Sequence, residues 1–532
     1  MRTKSLIILC CLCSITITAQ DRYFVNQTNG NDGNNGKTWS KAFVTIQMAL
    51  NNAKSGDEIW VAAGTYLPTK KIIDTDNNGL PTSDRYKTFV IPNGVKIYGG
   101  FSANSLDNTG MDKRDWEINK TILSGDLNKD DGENFTQIED NVYHIVYLYN
   151  TDESTVIDGF TITGGNFDTP VPIRMVQGSG ICAISNGSVA SSPVLTNLII
   201  EGNISTGGGA GFSNYSNGDA SPIISNTIFR NNKSGEYGGG FANDAREISS
   251  PVLENVIFSG NQAFNGAGMY CLSQDVVTSP VLTNVLIHGN LATNRAGGIC
   301  LYSFAGNVKP VFTNVTIAGN KSEGDIGGIY CLAYSAISSP EIRNTIIWGN
   351  TANEMSYYYD FYNEGNEGSN ADIQSSMIGD REVFIGTIDP HLYPGFVRSV
   401  HASLAPTTEG DYRPDKDSPL INAGNNAFVT TTTDLAGKPR IFDKTVDIGA
   451  YEYQEISTVG ITETNIENRI WSDAGNLFVR IDRPSTVRIY SVEGILIQQI
   501  PMSEGIKAIS IPQGFYFVSL DNEAATKIYI SK

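Results

Sequence analysis

Two short stretches of this 532-residue sequence alternate oxygen-bearing side chains in the way a calcium loop does. Asp74, Asp76 and Asn78 lead to Gly79 and match the first half of such a loop, but its twelfth position is Arg85 instead of Glu. Asp126, Asn128 and Asp130 repeat the alternation, with Gly132 one place late. Both are candidate sites for calcium, the one cofactor the chain suggests, and both strings also suit plain acidic turns. Proton-transfer chemistry finds less. A lyase acting on uronates needs stacked carboxylates around calcium and a basic residue that takes the proton α to the substrate carboxylate. Asp219, Asp244 and Asp275 occur in successive repeats but stand 3, 7 and 5 residues before Pro222, Pro251 and Pro280, so they share no column. A hydrolase of this kind needs paired aspartates; the only adjacent aspartates, Asp130 and Asp131, fall in a loop sequence. His144, His288, His391 and His401 have no glycine on both sides, and no nucleophilic triad or phosphate loop stands out. The chain carries no assigned catalytic residue and reads as leaning away from catalysis, with a polysaccharide lyase or glycosidase as the alternative.

The aromatic residues offer binding instead. Tyr270, Tyr330 and Trp348 recur within a repeat, and Tyr357, Tyr358, Tyr359 and Tyr362 cluster just past it. Rings on a flat face stack on sugars, unless loops from 351–416 cover them. The net charge of −19 argues against nucleic acid and anionic lipid, whose phosphates call for a basic patch. It argues equally against acidic polymers unless divalent cations bridge. Residues 1–19 place Arg2 and Lys4 ahead of an apolar run, Leu6 to Leu12, with Ala19 at a small-residue cleavage point. The run is too short to span a bilayer and reads as a signal peptide, and Leu9 and Leu12 before Cys10 and Cys13 argue against a lipid-anchor box. Removing these residues, which hold two basic and no acidic side chains, takes the charge to −21. No later stretch is apolar enough to cross a membrane, so a secreted or cell-surface location is expected.

The elements that must position these residues come from a repeat. Six segments superpose: SPVLTNLIIEGN, SPIISNTIFRNN, SPVLENVIFSGN, SPVLTNVLIHGN, KPVFTNVTIAGN and SPEIRNTIIWGN. Their prolines, Pro193 to Pro340, are spaced 29, 29, 29, 30 and 30 residues apart. A fixed period in this range signals a solenoid. Each period holds three short β runs separated by turn residues and no helical run, which predicts an all-β, right-handed parallel β-helix with three strands per rung over 20–350. Ile200, Phe229, Phe258, Ile287, Ile317 and Ile347 should form one inward column, and Phe212, Phe241, Met269, Ile299 and Ile329 a second. Asn197, Asn226, Asn255, Asn284, Asn314 and Asn344 keep the same period and should sit at a sharp turn, stacking amide on amide. Less regular rungs precede them at 56–66, 93–101, 119–126 and 154–166, and Ile46, Ala49, Leu50 and Ala53 mark a short capping helix. Cys271 and Cys331 fall at one inward place two rungs apart, ~9.6 Å at ~4.8 Å per rung, beyond bonding reach. With Cys182 and Cys300 they are expected to be free thiols.

On these segments the chain resembles known families. GNDGNNG (30–36), TIQMAL (45–50) and GDEIWVAAGTY (56–66) resemble the opening of the pectate-lyase-like β-helix superfamily. IYGGF, TILSGD and IDGFTITGGN resemble a bacterial branch with polymorphic outer-membrane-protein repeats. SPLINAGNN (418–426) with TDLAGKPRIFDKTVDIGAYEY (433–453) resembles the choice-of-anchor Q region, here taken as 351–455 with the end of the β-helix. The superfamily holds lyases, hydrolases, adhesins and stalks, so the resemblance implies fold more than activity.

After Tyr453 the repeat stops. Within 456–532, LFVRID, TVRIYSV, GILIQQI, IKAISI, GFYFVSL and TKIYISK alternate around Gly494, Gly505 and Gly514, the pattern of a small antiparallel β-sandwich. RIYSVEGILIQQI followed by IPQGFYFVSL resembles the type A C-terminal sorting domain of the type IX secretion system, which implies the secretion machinery as a partner and passage across the outer membrane. The expected function is a non-catalytic surface β-helix that presents a long face to polysaccharide or a cell-surface glycan, or serves as a structural stalk.

Overall fold

Three local requirements recur in every repeat and bend the chain into a coil. A strand such as Val194–Thr196 ends at Asn197, whose φ of 53° is a left-handed conformation that asparagine tolerates better than most side chains. Asn226, Asn255, Asn284, Asn314 and Asn344 repeat it with φ between 46° and 57°. A second strand, Ile199–Glu201, ends at Gly202, again at positive φ; the next rung has Asn231 in that place at φ 54°. The following residue is always Asn. A short strand and a glycine cluster then lead to the third strand, Phe212–Ser216. In the computed structural model these strands stack in parallel, rung on rung, forming a parallel β-helix. The third sheet has nine strands, and the short ladders between them complete each rung.

The structure describes residues 20–530 apart from 73–82, 105–109, 169–176, 188, 354–359, 380–388, 390–391, 455–469, 474–475, 482–483, 492–493, 504 and 522–525. Residues 1–19, expected to be a signal peptide, and Asp74, Asp76, Asn78, Tyr357 and Tyr358 lie outside the described residues. The chain divides into two compact units, 1–454 and 455–532.

Both expected inward columns form. Ile200, Phe229, Phe258, Ile287, Ile317 and Ile347 pair in register through the second sheet, and Phe212, Phe241, Met269, Ile299 and Ile329 through the third, all fully buried. Phe229 and Phe258 stack with centroids 4.8 Å apart and rings 7° from parallel, since the rung repeat of ~4.8 Å sets the ring spacing. Cys271, Leu301 and Cys331 follow one another in register, and the four cysteines among the described residues, Cys182, Cys271, Cys300 and Cys331, are buried and unbridged. The capping helix, Ile46–Asn52, starts at Thr45, whose hydroxyl accepts from the Met48 N–H; Asp32 of the GNDGNNG loop accepts from Val44 and Thr45 N–H at 3.0 Å and fixes the entry angle.

Two expectations change. The 93–101 and 119–126 segments are one rung, not two: Lys96–Phe101 and Thr121–Ser124 belong to the first and second ladders, with 102–120 inserted at the turn between them. The main amide ladder is also a different asparagine column. Asn203, Asn232, Asn261, Asn290, Asn320 and Asn350 are buried, and each donates Nδ2 to the next Oδ1 at 2.8–3.0 Å, with the last bonding Asp360 at 2.7 Å. The paired motif is thus a left-handed Gly or Asn followed by a ladder Asn. The expected column stacks through Asn226, Asn255 and Asn284 at 3.1 Å, while its later members turn to the segment beyond residue 392. Asn314 Nδ2 reaches Asp447 O at 3.2 Å, Asn344 Nδ2 reaches Asn425 O at 3.0 Å, and Asn284 Nδ2 reaches Thr433 O at 2.8 Å.

The second unit pairs two antiparallel sheets, Ile470–Asp473, Asn476–Ile481 and Gly505–Ser510 against Leu496–Met502, Ser485–Tyr490, Gly514–Leu520 and Thr526–Ile530. Leu477, Val479, Val487, Ile489 and Val518 fill the core between them. The strand Ile470–Asp473 is additional to the six expected from the sequence.

Candidate functional site

The second acidic loop closes on itself. Asp126, Asp130 and Asp140 bring one carboxylate oxygen each within 4.8 Å of one another. Asp126 Oδ1 accepts from Lys129 N at 2.6 Å and Asp130 N at 3.2 Å, which wraps the loop around that carboxylate. Asn128 takes part through its backbone N–H, which donates to Asp140 Oδ2 at 2.7 Å. Asp140 enters from outside the motif, so spacing within 126–133 could not have found it. Beside the cluster, burial first and then the charges of Asp126, Asp140 and Asp130 push the Asp131 carboxyl up to about 6, despite a hydrogen bond from Asn141. A concentration of negative charge this close is stabilised by a hard cation, and calcium's flexible oxygen coordination fits the three carboxylates.

The second candidate is the outward face of the third sheet. Side chains alternate along a strand, so each strand shows two outward positions per rung. One column runs Tyr147, Cys182, Ser213, Ala242, Tyr270, Cys300, Tyr330 and Tyr362; the other runs Tyr149, Ile184, Tyr215, Asp244, Leu272, Tyr302, Leu332 and Glu364. Tyr270 stacks on Tyr237 at 4.8 Å, and Tyr330 stacks on Tyr362 at 5.2 Å with rings 13° apart. The Arg295 guanidinium lies 5.5 Å from the Tyr330 ring centre. Tyr149, Phe304 and Tyr334 are exposed at 45%, 49% and 69%. Tyr270 and Tyr330 thus occupy outward positions as expected, although Tyr330 keeps only 8% of its surface exposed under its neighbours. Tyr147, Tyr215, Tyr237 and Tyr302 belong to the same face and escaped the sequence reading; counting two places along each strand of the third sheet finds all but Tyr237, which lies in the turn.

Trp348 belongs to a different face. It follows Ala318 in the second sheet and lies half-buried against Tyr393 and Phe396, at 5.4 and 6.4 Å. The same covering segment lays Tyr412 on His288, with ring centres 4.9 Å apart. The column of Glu201, Arg230, Ser259, His288, Ala318 and Trp348 is therefore roofed from Ser259 onward rather than solvated throughout. Burial brings the His288 and His144 imidazoles down to about 4, so both are uncharged near neutral pH, and His144 Nδ1–H donates to Gly178 O at 2.6 Å. Asp244 sits in register between Tyr215 and Leu272, and no second aspartate stands beside it.

No protein-family model and no curated protein matches the sequence. Among solved structures the chain is similar to pectate lyase Pel9A, at 14% identity and a TM-score of 0.44 over 82% of this chain and 98% of that one. It is also similar to a rhamnogalacturonan lyase, at 11% identity and 0.33 over 75% and 97%, and to XylC in complex with xylose, at 12% and 0.31 over 81% and 98%. Values this low carry no functional reading. Among the described residues, no helix is long and apolar enough to cross a membrane.

Proposed function

We propose that the chain is an exported surface protein whose β-helix binds polysaccharide along the outward face of its third sheet without cleaving it. One observation carries this reading: tyrosines recur in two parallel columns, Tyr147, Tyr270, Tyr330 and Tyr362 in one and Tyr149, Tyr215 and Tyr302 in the other, one to four rungs apart on a sheet whose rungs repeat every ~4.8 Å. An extended polymer of rings meets such a face with many weak, repeated contacts, and each aromatic offers an apolar face with a polar hydroxyl at its edge. The leader-like N-terminus supports export, and the strand pattern of 456–532 supports engagement of a secretion machinery. In a glycan array, the Tyr302→Ala, Tyr270→Ala double variant is expected to bind roughly tenfold more weakly or worse, the equivalent of about 1.4 kcal/mol, with the folded circular-dichroism spectrum retained although the lost Tyr270–Tyr237 stacking lowers the melting temperature. Retained binding would move the site off this face. Release of unsaturated uronate or reducing sugar from a bound polymer would replace the proposal with a lyase or glycosidase, and absence of any glycan binding would leave a structural stalk.

Calcium is proposed at Asp126, Asp130 and Asp140, where it would brace the loop that returns the chain to the third sheet. Calcium at about a hundredfold over its dissociation constant should stabilise the protein by about 2.7 kcal/mol, read as a higher melting temperature. Asp126→Asn should abolish the gain. Calorimetry with no heat on calcium addition and a fixed melting temperature would remove the ion.

A further inference from the structure

We infer that the outer strand Leu496–Met502 of the second unit is a docking edge for a second copy of the chain, which adds its own Leu496–Met502 antiparallel about a two-fold axis at Gln498. On one side this strand pairs with Ser485–Tyr490; on the other it has no partner among the described residues. The strand at the opposite end of that sheet, Thr526–Ile530, has Ile470–Asp473 of the facing sheet as a neighbour. An open edge presents a row of unpaired N–H and C=O groups, which proteins shield with charges, bulges or proline. Here the shields stand only at the ends, a bulge where Leu496 meets Tyr490 and a proline at 501. No charged side chain occurs from Gly494 to Met502. Ile495, Leu496 and Ile497 leave 66%, 47% and 50% of their surface exposed, and Gln498 and Gln499 are exposed beside them.

The strand is complementary to itself. In an antiparallel pair, directly opposed residues lie on the same face of the sheet. An axis at Gln498 therefore sets Gln498 against the second copy's Gln498, Leu496 against its Ile500 and Ile497 against its Gln499. Amide and apolar pairs across strands stabilise a sheet, and here no like charges are opposed. Pro501, which lacks an N–H, falls opposite Ile495, just beyond the start of the strand, so its missing donor costs the ladder little. Charge permits the approach as well. Residues 455–532 hold seven basic and nine acidic side chains, a net −2 of the chain's −19, so the acidity that drives copies apart belongs mainly to the first unit. A two-fold contact of this kind uses both open edges and closes at two copies.

Sedimentation of the full protein from about 1 μM to about 1 mM, the range in which a short strand contact associates, should show a reversible monomer–dimer equilibrium. Gln498→Lys brings two lysines face to face at the axis and should raise the dimer dissociation constant about tenfold or more. The side chain is exposed, so the melting temperature of the monomer should hold. Gln498→Cys sets two thiols opposite each other with Cα atoms ~4.5–5.5 Å apart, within bonding reach. Under mild oxidation it should form a covalent dimer well ahead of Tyr334→Cys, which is exposed on the β-helix instead. A monomer throughout the range overturns the inference and leaves the edge to an extended strand of a different protein. A dimer that Gln498→Lys does not weaken, cross-linking of Gln498→Cys no faster than that of Tyr334→Cys, or growth past two copies overturns it equally.

Discussion

Replacing Asn290 by Leu is expected to lower the unfolding free energy by about 3–5 kcal/mol, the range seen when a buried polar network is broken. The side chain makes five hydrogen bonds. Nδ2 donates to Phe258 O, His288 O and Asn320 Oδ1 at 3.1, 3.0 and 2.8 Å, and Oδ1 accepts from the N–H and Nδ2 of Asn261, both at 2.9 Å. Leu removes them all and strands the backbone N–H of Asn261, fully buried with no water to replace the loss, while Asn261 Nδ2 keeps only Phe229 O and Asn320 Oδ1 only the backbone N–H of residue 290. Because each rung of a solenoid is held by its neighbours, the damage should spread to the adjoining rungs. Asn255→Gly is the control. Asn255 also carries amide contacts, but its main task is φ 57°, which Gly adopts without strain, so the expected loss is within about 1 kcal/mol. Urea denaturation of the two variants checks both numbers. A loss below about 1 kcal/mol for Asn290→Leu would show that the buried ladder is not a main support of the coil.

Arg440→Met is the second large effect, with an expected loss of about 3–5 kcal/mol, the cost of breaking a buried ion pair from one side. Arg440 and Glu452 are 2.9 Å apart, with side chains 1% and 2% exposed. Arg440 also donates to Gly449 O and Ala450 O at 3.2 and 3.1 Å and to Asn284 Oδ1 at 3.3 Å, tying the segment to a β-helix turn. Met fills the space but leaves Glu452 buried beside Asp447. Limited proteolysis should then cut within 392–454 at protease levels that spare the parent. Burial first, and then the Glu452 charge, raise the Asp447 carboxyl to about 6, and burial also raises Glu452 above its ordinary range. Groups raised in this way bind protons more tightly folded than unfolded, so their unfavourable contribution grows as pH rises through about 6. The penalty of Arg440→Met should therefore be largest at neutral pH and smaller near pH ~5. A penalty that grows as pH falls would contradict the role given to Glu452.

The repeat was legible because each feature that bends the coil is local. Asn197 and its equivalents mark a left-handed turn, and Ile200 and Phe212 with their columns follow from period-two alternation inside a 29- or 30-residue period. The cysteines were legible for the same reason, since register alone separates Cys271 from Cys331. The ladder was harder. Asn290 and Asn284 stand six residues apart in the same repeat and are both buried, and sequence spacing treats them alike; their partners separate them, since Asn290 bonds Asn261 and Asn320 from rung to rung while Asn284 reaches Asn255 and the distant Thr433.

Residues brought in from a distance were not legible at all. Asp140 joins Asp126 and Asp130 because the chain returns to the third sheet there, and no local motif announces it. Phe396 and Tyr412 roof Trp348 and His288 from another part of the chain, as Arg440 does Asn284. By itself, then, the sequence determined the coil, its period, its inward columns and its free thiols, because each rests on dihedral preference or on register within one repeat. Only the tertiary structure decided which outward faces stay open, which carboxylates meet and which asparagines are buried, because those depend on contacts between segments far apart in the chain.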